Sequence, residues 1–412
     1  MKKIILNSYI LIWTIVLLTS SFNPYNLYNV SDETYFIVFL SLFMFLIGTF
    51  TISGNYIKTK SNENKNKELI YKTLQDIGKN KYVFIIMIIN VILIARYYLL
   101  YQAAVTLVGA SEARMLRFFA GALFKSTAEI YFYNYYFETI SIISILYFSL
   151  SFVLNKINKL SILCIVFSYF FSSIGSGRFF LVELGYYILI LYFIKKVYFK
   201  LKTPRILKVA ILFTFGILYL MSISFVNFRR GIKLINSETF LEGNDLLLEQ
   251  AVVYNIGALR ALDYGLNNLT DKINYQYFRL YLGGLDELFA VFLNLIGAKV
   301  SYGNAEMGNI LFNEINIGNE TTFNALYTNI IYMYLDFNLL GVILCSFLNG
   351  YFFSYLFKRF SLAPSIFNIF VLVFFTVQLY LSTMNWGFSS PSSWLFCGLC
   401  IFLDKRWKIK IK

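Results

Sequence analysis

Residues 82–101 read YVFIIMIINVILIARYYLLY, a run in which Arg96 is the one charged side chain. A helix that crosses the hydrocarbon core of a bilayer needs roughly 20 mostly apolar residues. Such runs recur along all 412 residues, of which 58% are hydrophobic and 14% are charged. Soluble domains hold about 45–50% apolar and about 25% charged residues. The composition therefore predicts an integral membrane protein.

Ten segments are apolar enough to be predicted as spanning helices. They are approximately 4–21, 35–54, 82–101, 137–154, 160–176, 179–197, 206–226, 339–357, 364–382 and 390–403. The stretch 279–297 is also apolar, but Asp286 and Glu287 at its centre would each cost about 2.5 kcal/mol or more against lipid. We therefore predict an external helix there. In an alternative with twelve spans, 281–297 and 322–338 both enter the membrane.

The charges beside the predicted spans indicate an orientation. With both termini inside, the internal segments carry 24 lysines and arginines and four acidic residues. The polar segment 227–338 is then external, and its seven basic and twelve acidic residues give a net charge of −5. Cytoplasmic loops are typically rich in Lys and Arg. We predict an all-α polytopic membrane protein, one integral membrane domain over 1–412, with amphipathic helices in the large external loop 227–338, among them 248–267. A second external segment, 102–136, is predicted to lie along the interface as an amphipathic helix.

The composition also excludes several classes of function. The net charge of +14 lies mostly at the ends of apolar runs, which indicates topology rather than nucleic-acid binding. The chain has no histidine. Its four cysteines all lie inside apolar segments: Cys164, Cys345, Cys397 and Cys400. Buried cysteines usually behave as small apolar side chains. We therefore expect no metal site and no cofactor.

The motif SIGSGR (173–178) joins two closely spaced predicted spans on the external side. Its small residues permit a tight turn in which a ligand can approach the backbone. Free amides and one guanidinium form a cradle for an anion. Gly177 and Arg178 are therefore candidates for binding a phosphate group. Alternatively, this is a plain hairpin turn whose Arg178 reaches toward lipid headgroups.

A second external motif, NFRRG (227–231), follows the seventh predicted span. Its paired guanidiniums can bind a pyrophosphate in bidentate fashion, which lysine cannot do. The candidate residues are Arg229, Arg230 and Gly231. An interfacial anchor is the alternative. Two further external arginines lie on predicted helices and are either anion ligands or partners of Asp263 and Glu287: Arg260 and Arg279.

A third cluster occupies 318–328 and continues into the next predicted span. Amide, hydroxyl and aromatic groups suit the hydroxyls and ring faces of a sugar, and the candidates are Asn324, Tyr327 and Thr328. A general base must be a carboxylate or a tyrosine here, because the chain has no histidine. Glu320 and Asp336 are the candidates. Alternatively, the cluster is a polar start to a helix whose dipole Asp336 complements.

Four motifs in this order resemble the O-antigen polymerase, or oligosaccharide repeat-unit polymerase (Wzy-type), family. They are GSGR at 175–178, FRRG at 228–231, YLGG at 281–284 and NALYTNIIYMYLDFNLLG at 324–341. The resemblance covers about residues 170–360. The family usually has glycine where Asn338 stands, and this chain departs from the pattern there.

The resemblance implies an enzyme at the outer face of the bacterial cytoplasmic (inner) membrane. Such an enzyme transfers a growing glycan from one undecaprenyl-pyrophosphate carrier to the terminal sugar of a carrier-linked repeat unit, without a metal. Beyond these oligosaccharides and membrane lipids, the implied partners are a chain-length regulator and a flippase of the same pathway, and no nucleic acid. The catalytic candidates are Arg178, Arg230, Glu320 and Asp336. The substrate-binding candidates are Gly177, Arg229, Gly231, Arg260, Arg279, Tyr281, Asn324, Tyr327 and Thr328.

Other classes of protein make different predictions. An O-antigen ligase-like transferase is expected to use a histidine in its external loop, and the sequence has none. A lipid-linked oligosaccharide flippase or another transporter is expected to have about twelve to fourteen evenly spaced spans and short loops. The long external segment 227–338 instead favours chemistry at the membrane surface.

Overall fold

The structure is a computed structural model that is described for most of the chain. The described residues are 2–52, 60–117, 119, 121, 123–174, 179–202, 204–229, 232, 236–269, 274–311, 313–324 and 327–411. Within them, helices account for nearly all regular structure, and the one sheet is a two-stranded antiparallel hairpin. The prediction of an all-α protein is confirmed.

The helices of the first half run from the N-terminus to the seventh predicted span. They are α1 Lys2–Phe22, α2 Asp32–Thr51, α3 Lys60–Lys79, α4 Lys81–Val108, α5 Ala110–Leu116, α6 Thr127–Tyr131, α7 Glu138–Val153, α8 Lys159–Ile174, α9 Phe179–Phe193 and α10 Arg205–Arg229. A π-helical turn, Phe132–Phe137, joins α6 to α7 without interruption, and a second one, Ile194–Tyr198, extends α9.

The second half holds the external segment and the last three predicted spans. Its elements are α11 Ser237–Asn268, α12 Gly283–Leu295, α13 Gly303–Leu311, β1 Glu314–Asn316, β2 Thr322–Asn324, α14 Asn329–Leu362, α15 Ile366–Leu381 and α16 Pro391–Ile411. The loop between spans thus runs over 230–328 rather than 227–338, because α10 continues to Arg229 and α14 begins at Asn329.

Six helices in the described part of the chain are long and apolar enough to cross a membrane. They are Lys2–Phe22, Asp32–Thr51, Lys81–Val108, Thr127–Val153, Arg205–Asn227 and Asn329–Leu362. Shorter apolar helices are Lys159–Ile174, Ile366–Leu381 and Pro391–Asp404. Each of the ten predicted spans coincides with a helix. This set of helices is compatible with a multi-pass membrane protein.

Of the helices predicted in the external segments, two form and one does not. The 279–297 stretch forms α12, and 248–267 lies within α11, as expected. The 102–136 segment is not one amphipathic helix, because α4 continues to Val108 and Gly109 (φ 85°) ends it. The strand β2 at Thr322–Asn324 also leaves 322–338 without the continuous helix that a twelve-span arrangement requires.

The closest helix pair is α2 with α14. A Cβ added to Gly350 would lie 2.0 Å from the Phe45 carbonyl oxygen, and one added to Gly48 would lie 2.1 Å from the Phe347 carbonyl oxygen. The two backbones are therefore in direct contact, an approach that only small residues allow. The Ser41 and Ser346 hydroxyls lie 2.8 Å apart across the same interface.

The helices differ strongly in burial. Every residue of α15 is buried, so this helix lies at the centre of the bundle. In α10, 11% of an apolar stretch of 18 residues is buried, and large apolar side chains such as Ile206 and Leu212 are exposed. An exposed apolar surface of this extent is typical of contact with lipid or with another protein.

Candidate active site

A cavity of about 330 Å3 lies where α5, α7, α8, α9 and α15 meet the loop between α15 and α16. Its wall includes four charged side chains: Arg114, Arg117, Glu138 and Glu183. Polar uncharged groups complete it, among them Ser141, Ser172, Gln378, Asn385, Ser389, Ser390 and Ser393. A concave site with a few convergent polar groups is where a ligand is expected to bind.

The cavity lies on the side of the bundle that the loop 230–328 covers. The Asn304 side-chain amide donates to the Ser389 carbonyl oxygen over 2.8 Å. A Cβ added to Gly284 would lie 2.2 Å from the Ser390 carbonyl oxygen, so α12 and the start of α16 touch through their backbones. The α15–α16 loop thus has the cavity on one side and the helices α12 and α13 on the other.

The short helix α5 supplies Arg114, and Arg117 follows directly after its last residue. Gly109 ends α4 with φ 85°, a backbone conformation that glycine adopts readily, and the chain then turns into α5. Arg114 and Arg117 are three residues apart, which places them on one face of a helical turn. Burial lowers the pKa of the Arg117 guanidinium from 12.5, but arginine remains charged. The cavity therefore has a permanent positive charge.

Glu138 follows the π-helical turn Phe132–Phe137, whose sequence is FYNYYF. π-Helical turns are rare and are often found at functional sites. The Ser390 hydroxyl lies 3.4 Å from Glu138 Oε2 and 2.8 Å from the Ser392 hydroxyl. Its neighbour Thr139 bonds to the Tyr135 carbonyl oxygen over 2.6 Å. The glutamate is thus held between the turn and the start of α16.

Glu183 lies in the second turn of α9, and Gln378 of α15 lies beside it in the cavity wall. Gln378 is buried, and a Cβ added to Gly387 would lie 2.0 Å from its Oε1 atom. The absence of a side chain at Gly387 therefore lets the α15–α16 loop approach the amide closely.

Tyr281 and Asp336, two of the predicted site residues, lie together behind the cavity wall. The Tyr281 ring stacks on Trp386 with centroids 5.1 Å apart, and Trp386 Nε1 donates to the Tyr281 carbonyl oxygen over 2.8 Å. Asp336 is fully buried and accepts from the amides of Tyr281 at 2.8 Å and Leu280 at 3.2 Å. Trp386 lines the cavity, whereas Asp336 supports the segment behind it.

The helix α14 is broken next to Asp336. Phe337 and Asn338 have non-helical backbone angles, and φ is 55° at Asn338. This left-handed region favours glycine and is tolerated by asparagine. Asn338, where the sequence departs from the pattern of the family that it resembles, thus has a backbone conformation that favours glycine. The break exposes backbone groups that the 276–281 segment satisfies, for example through Gln276 N to the Leu335 carbonyl oxygen at 3.2 Å.

Arg260 binds within the protein. Its guanidinium donates to the Tyr28 carbonyl oxygen at 2.7 Å, to Asn23 Oδ1 at 3.0 Å and to the Ile256 carbonyl oxygen at 3.0 Å. Burial lowers its pKa. The predicted alternative partner, Asp263, instead accepts from the Ser31 amide at 3.0 Å at the start of α2. Arg260 therefore fastens the α1–α2 loop to α11.

Arg279 forms ion pairs with Glu306 at 3.0 Å and with Asp286 at 3.5 Å. Although partial burial opposes it, the hydrogen bond with Glu306 raises the pKa of Arg279. Hydrogen bonds from Ser301 and Arg279 lower the pKa of Glu306. The predicted pairing with Glu287 is wrong, because Glu287 accepts from the Tyr135 hydroxyl over 2.5 Å.

The third predicted cluster lies apart from the cavity lining. Glu320 is exposed in the turn between β1 and β2, with φ 55°, and the neighbouring Asn319 amide donates to the Tyr25 carbonyl oxygen over 3.2 Å. Tyr327 and Thr328 are buried just before α14. None of these predicted residues is among the cavity-lining residues that the structure describes.

Several predicted residues lie outside the described residues: Gly177, Arg178, Arg230 and Gly231. Arg229 ends α10 and Asn324 ends β2, but their side chains are not described. Residues 175–178 nevertheless connect α8 to α9, and Ser172 and Phe180 on either side of this connection line the cavity. The first predicted motif is thus adjacent to the cavity along the chain.

Four residues of the cavity wall are not among the predicted site residues: Arg114, Arg117, Glu138 and Glu183. A signal was present for both glutamates, since ionisable residues within membrane segments are costly and usually mark functional sites. The positions of the two arginines did not indicate a site, because arginines are common in an interfacial amphipathic helix, which the sequence predicts for 102–136.

Comparisons with family profiles, with curated proteins and with solved structures find no match to this chain.

Proposed function

We propose that the protein is a membrane glycosyltransferase that polymerises undecaprenyl-pyrophosphate-linked oligosaccharide repeat units into an O-antigen-like or capsule-like polysaccharide. One observation carries the proposal: a single cavity combines two arginines with two glutamates. In this reaction the leaving group is a pyrophosphate and the acceptor is a sugar hydroxyl. A cationic group can stabilise the leaving pyrophosphate, and a carboxylate can accept the proton of the sugar hydroxyl.

The arginines of α5 supply the electrostatic part of the proposal. Guanidiniums bind phosphate oxygens in bidentate fashion and remain charged when partly buried. Arg114 and Arg117 would bind the carrier pyrophosphate and stabilise the negative charge that develops on it, which is often the largest catalytic contribution. Arg178 belongs to the same proposal on sequence grounds, because it lies two residues before Phe180 of the cavity wall.

The remaining wall suits a carbohydrate. Hydroxyl and amide side chains such as Ser393, Gln378 and Asn385 can exchange hydrogen bonds with sugar hydroxyls. The Trp386 ring backs the same wall, where it is buried and stacks on Tyr281. Hydroxyl-rich ligands are bound selectively when a site pairs each hydroxyl with a polar partner.

The proposal includes a topology with ten spans and both termini in the cytoplasm. Lys and Arg then cluster on the inner side, as they usually do. The loop 230–328 and the cavity beneath it face the outside of the cytoplasmic membrane. A lipid carrier would reach this cavity laterally while its prenyl chain remained among the apolar helices.

The surface glycans of a strain that lacks this chain test the proposed function. We expect lipid A or carrier capped by a single repeat unit, with no polymer, and a restored ladder when the wild-type chain is returned. An unchanged ladder would contradict the proposal. Loss of every repeat unit from the surface would identify a flippase instead.

A further inference from the structure

We infer that Glu138 is the general base that accepts the proton of the acceptor hydroxyl in the cavity between α5, α7, α9 and α15. This inference rests on the proposed function and assigns the catalytic carboxylate to a residue that lies far along the chain from Glu320 and Asp336. It follows from the position of Glu138, from the groups that hold it and from the lack of another suitable base in the described cavity wall.

Glu138 is positioned to accept a proton from a ligand in the cavity. Its side chain lines the cavity and is partly exposed to it. The Ser390 hydroxyl lies 3.4 Å from Oε2 and is itself 2.8 Å from the Ser392 hydroxyl, so one carboxylate oxygen faces a hydroxyl pair. Arg117 lies in the same wall, so a guanidinium faces the same cavity as this carboxylate. An ionised carboxylate with a free oxygen lone pair can accept a proton.

The other candidates in the wall are less suitable. Tyr133 is buried, and its hydroxyl already donates to the Phe171 carbonyl oxygen over 3.2 Å. The chain has no histidine. Glu183 lies beside Gln378 in the centre of the bundle, and two carboxylates that share one cavity do not both ionise readily. We assign Glu183, as the protonated member, to hydrogen bonding with acceptor sugar hydroxyls.

The chemical step balances with these groups. The acceptor hydroxyl oxygen forms a bond to the anomeric carbon of the donor sugar, and its proton passes to the Glu138 carboxylate. The bond between that carbon and the pyrophosphate oxygen breaks, and the electron pair leaves with the undecaprenyl pyrophosphate. Glu138 then releases its proton to water. No oxidant, reductant or further reactant is required.

The experiment uses the purified full chain in phospholipid vesicles. Its probe is the lipid-linked oligosaccharide fraction extracted from cells that lack this chain, and its readout is the rate at which products longer than one repeat form. We expect Glu138→Gln to slow polymerisation by about 10²–10⁴-fold, the usual contribution of a general base. Glutamine retains an oxygen that accepts from Ser390, so the local packing should persist. Glu314→Gln changes an exposed carboxylate on β1 and is the matched control, with an unchanged rate expected.

A rescue measurement separates chemistry from structure. In Glu138→Gly the removed side chain leaves space for a small carboxylate, and we expect added formate to restore part of the rate. Formate should not rescue Glu183→Gly, because that position supplies a hydrogen bond and not a base. If glutamine at 138 lowers the thermal midpoint, the pair Glu138→Asp and Glu138→Asn repeats the comparison, with activity expected in the aspartate variant alone.

The possible failures are distinguishable. A wild-type chain that forms no polymer from this fraction, while a complementing cell extract does, contradicts the proposed function itself. A wild-type chain that polymerises together with a fully active Glu138→Gln overturns the assignment of the base. Rescue of Glu183→Gly rather than Glu138→Gly would transfer the role to Glu183 and equally overturn it.

Discussion

Arg178 is the last residue of the glycine- and serine-rich connection, 175–178, between two helices that line the cavity. We predict that Arg178→Ala abolishes polymer while the protein remains in the membrane, because one charge-stabilising donor would be lost. The expected increase in the barrier is on the order of 3 kcal/mol. Arg178→Lys should recover little, since a point charge replaces a planar fork. Glycan ladders with a membrane immunoblot provide the measurement, and full activity in the lysine variant would contradict a bidentate pyrophosphate contact.

Because Asp336 is buried, we expect it to stabilise the fold rather than to act in catalysis. Its carboxylate is inaccessible and accepts two backbone amides of the segment that carries Tyr281. We predict that Asp336→Asn lowers the free energy of unfolding by about 1–3 kcal/mol, the cost of leaving a buried donor unpaired. Thermal unfolding in detergent measures this loss, and polymer should fall with stability.

Glu320 provides the comparison for Asp336, because its carboxylate is exposed in the β1–β2 turn. Glu320→Gln is expected to leave the thermal midpoint unchanged. If Glu320→Gln abolished polymer at normal stability, Glu320 of the β1–β2 hairpin would be the general base instead of Glu138. Loss of polymer in Asp336→Asn at normal stability would show that Asp336 acts in the chemistry and not through Tyr281.

At the residue scale, a local sequence pattern predicts only part of the site. Arginines and polar clusters in predicted external loops are candidates, because topology does not explain a positive charge there. Arg260 fits that description, yet its guanidinium binds Tyr28 and Asn23, more than 230 residues earlier in the chain. Such a partner follows from the tertiary fold and not from local spacing. Glu138 and Glu183 were predictable in principle, because carboxylates inside apolar runs are costly.

At the scale of elements, helix existence was predictable and helix ends were not. Hydrophobic length predicted a helix at each of the ten segments, because backbone groups in lipid must be satisfied within a helix. The predicted span 339–357 begins directly after the break at Asn338 in α14. The first part of that helix, from Asn329, is itself apolar, but Asp336 and Asn338 separate it from the predicted span. It stays helical because the helices around it bury residues such as Ile330 and Met333.

The contact of α2 with α14 gives a prediction for elements. A Cβ at Gly350 would lie 2.0 Å from the Phe45 carbonyl oxygen, and a backbone atom cannot rotate away. We predict that Gly350→Ala destabilises the protein by about 1–3 kcal/mol through overpacking. Thermal unfolding in detergent provides the measurement.

Gly216 is the matched control for Gly350, because it also lies in an apolar helix but has no atom within 4 Å of an added Cβ. Gly216→Ala should be neutral or slightly stabilising, since alanine favours a helix over glycine by about 1 kcal/mol. Equal midpoints for the two variants would mean that α2 and α14 are not in backbone contact.

At the scale of the whole molecule, the central question is which side of the membrane the cavity faces. The charge distribution predicts that a reporter fused after Lys65 is cytoplasmic and one fused after Asn244 is external. An odd number of predicted spans separates the two positions. Alkaline phosphatase and green fluorescent protein fusions measure the side directly. Both reporters on one side would contradict the topology on which the proposed function depends.

The excess of positive charge predicts an orientation in the membrane, but it does not identify the site residues. Composition and hydropathy predicted the all-α fold, because it depends on sums over many residues. The cavity depends on where α5, α7, α9 and α15 meet, and hence on packing among distant helices such as those bearing Arg117 and Gln378. No short motif encodes that meeting point.

Reconstitution tests the central claim most directly. The purified chain is placed in phospholipid vesicles with lipid-linked oligosaccharides from cells that lack it, and the products are resolved by mass. If the protein is the polymerase, products at integer multiples of the repeat-unit mass should accumulate without any nucleotide sugar or other protein, and undecaprenyl pyrophosphate should be released in step with each bond. Vesicles that hold correctly folded protein and intact substrate, but in which the oligosaccharide remains one repeat unit long, would contradict the account.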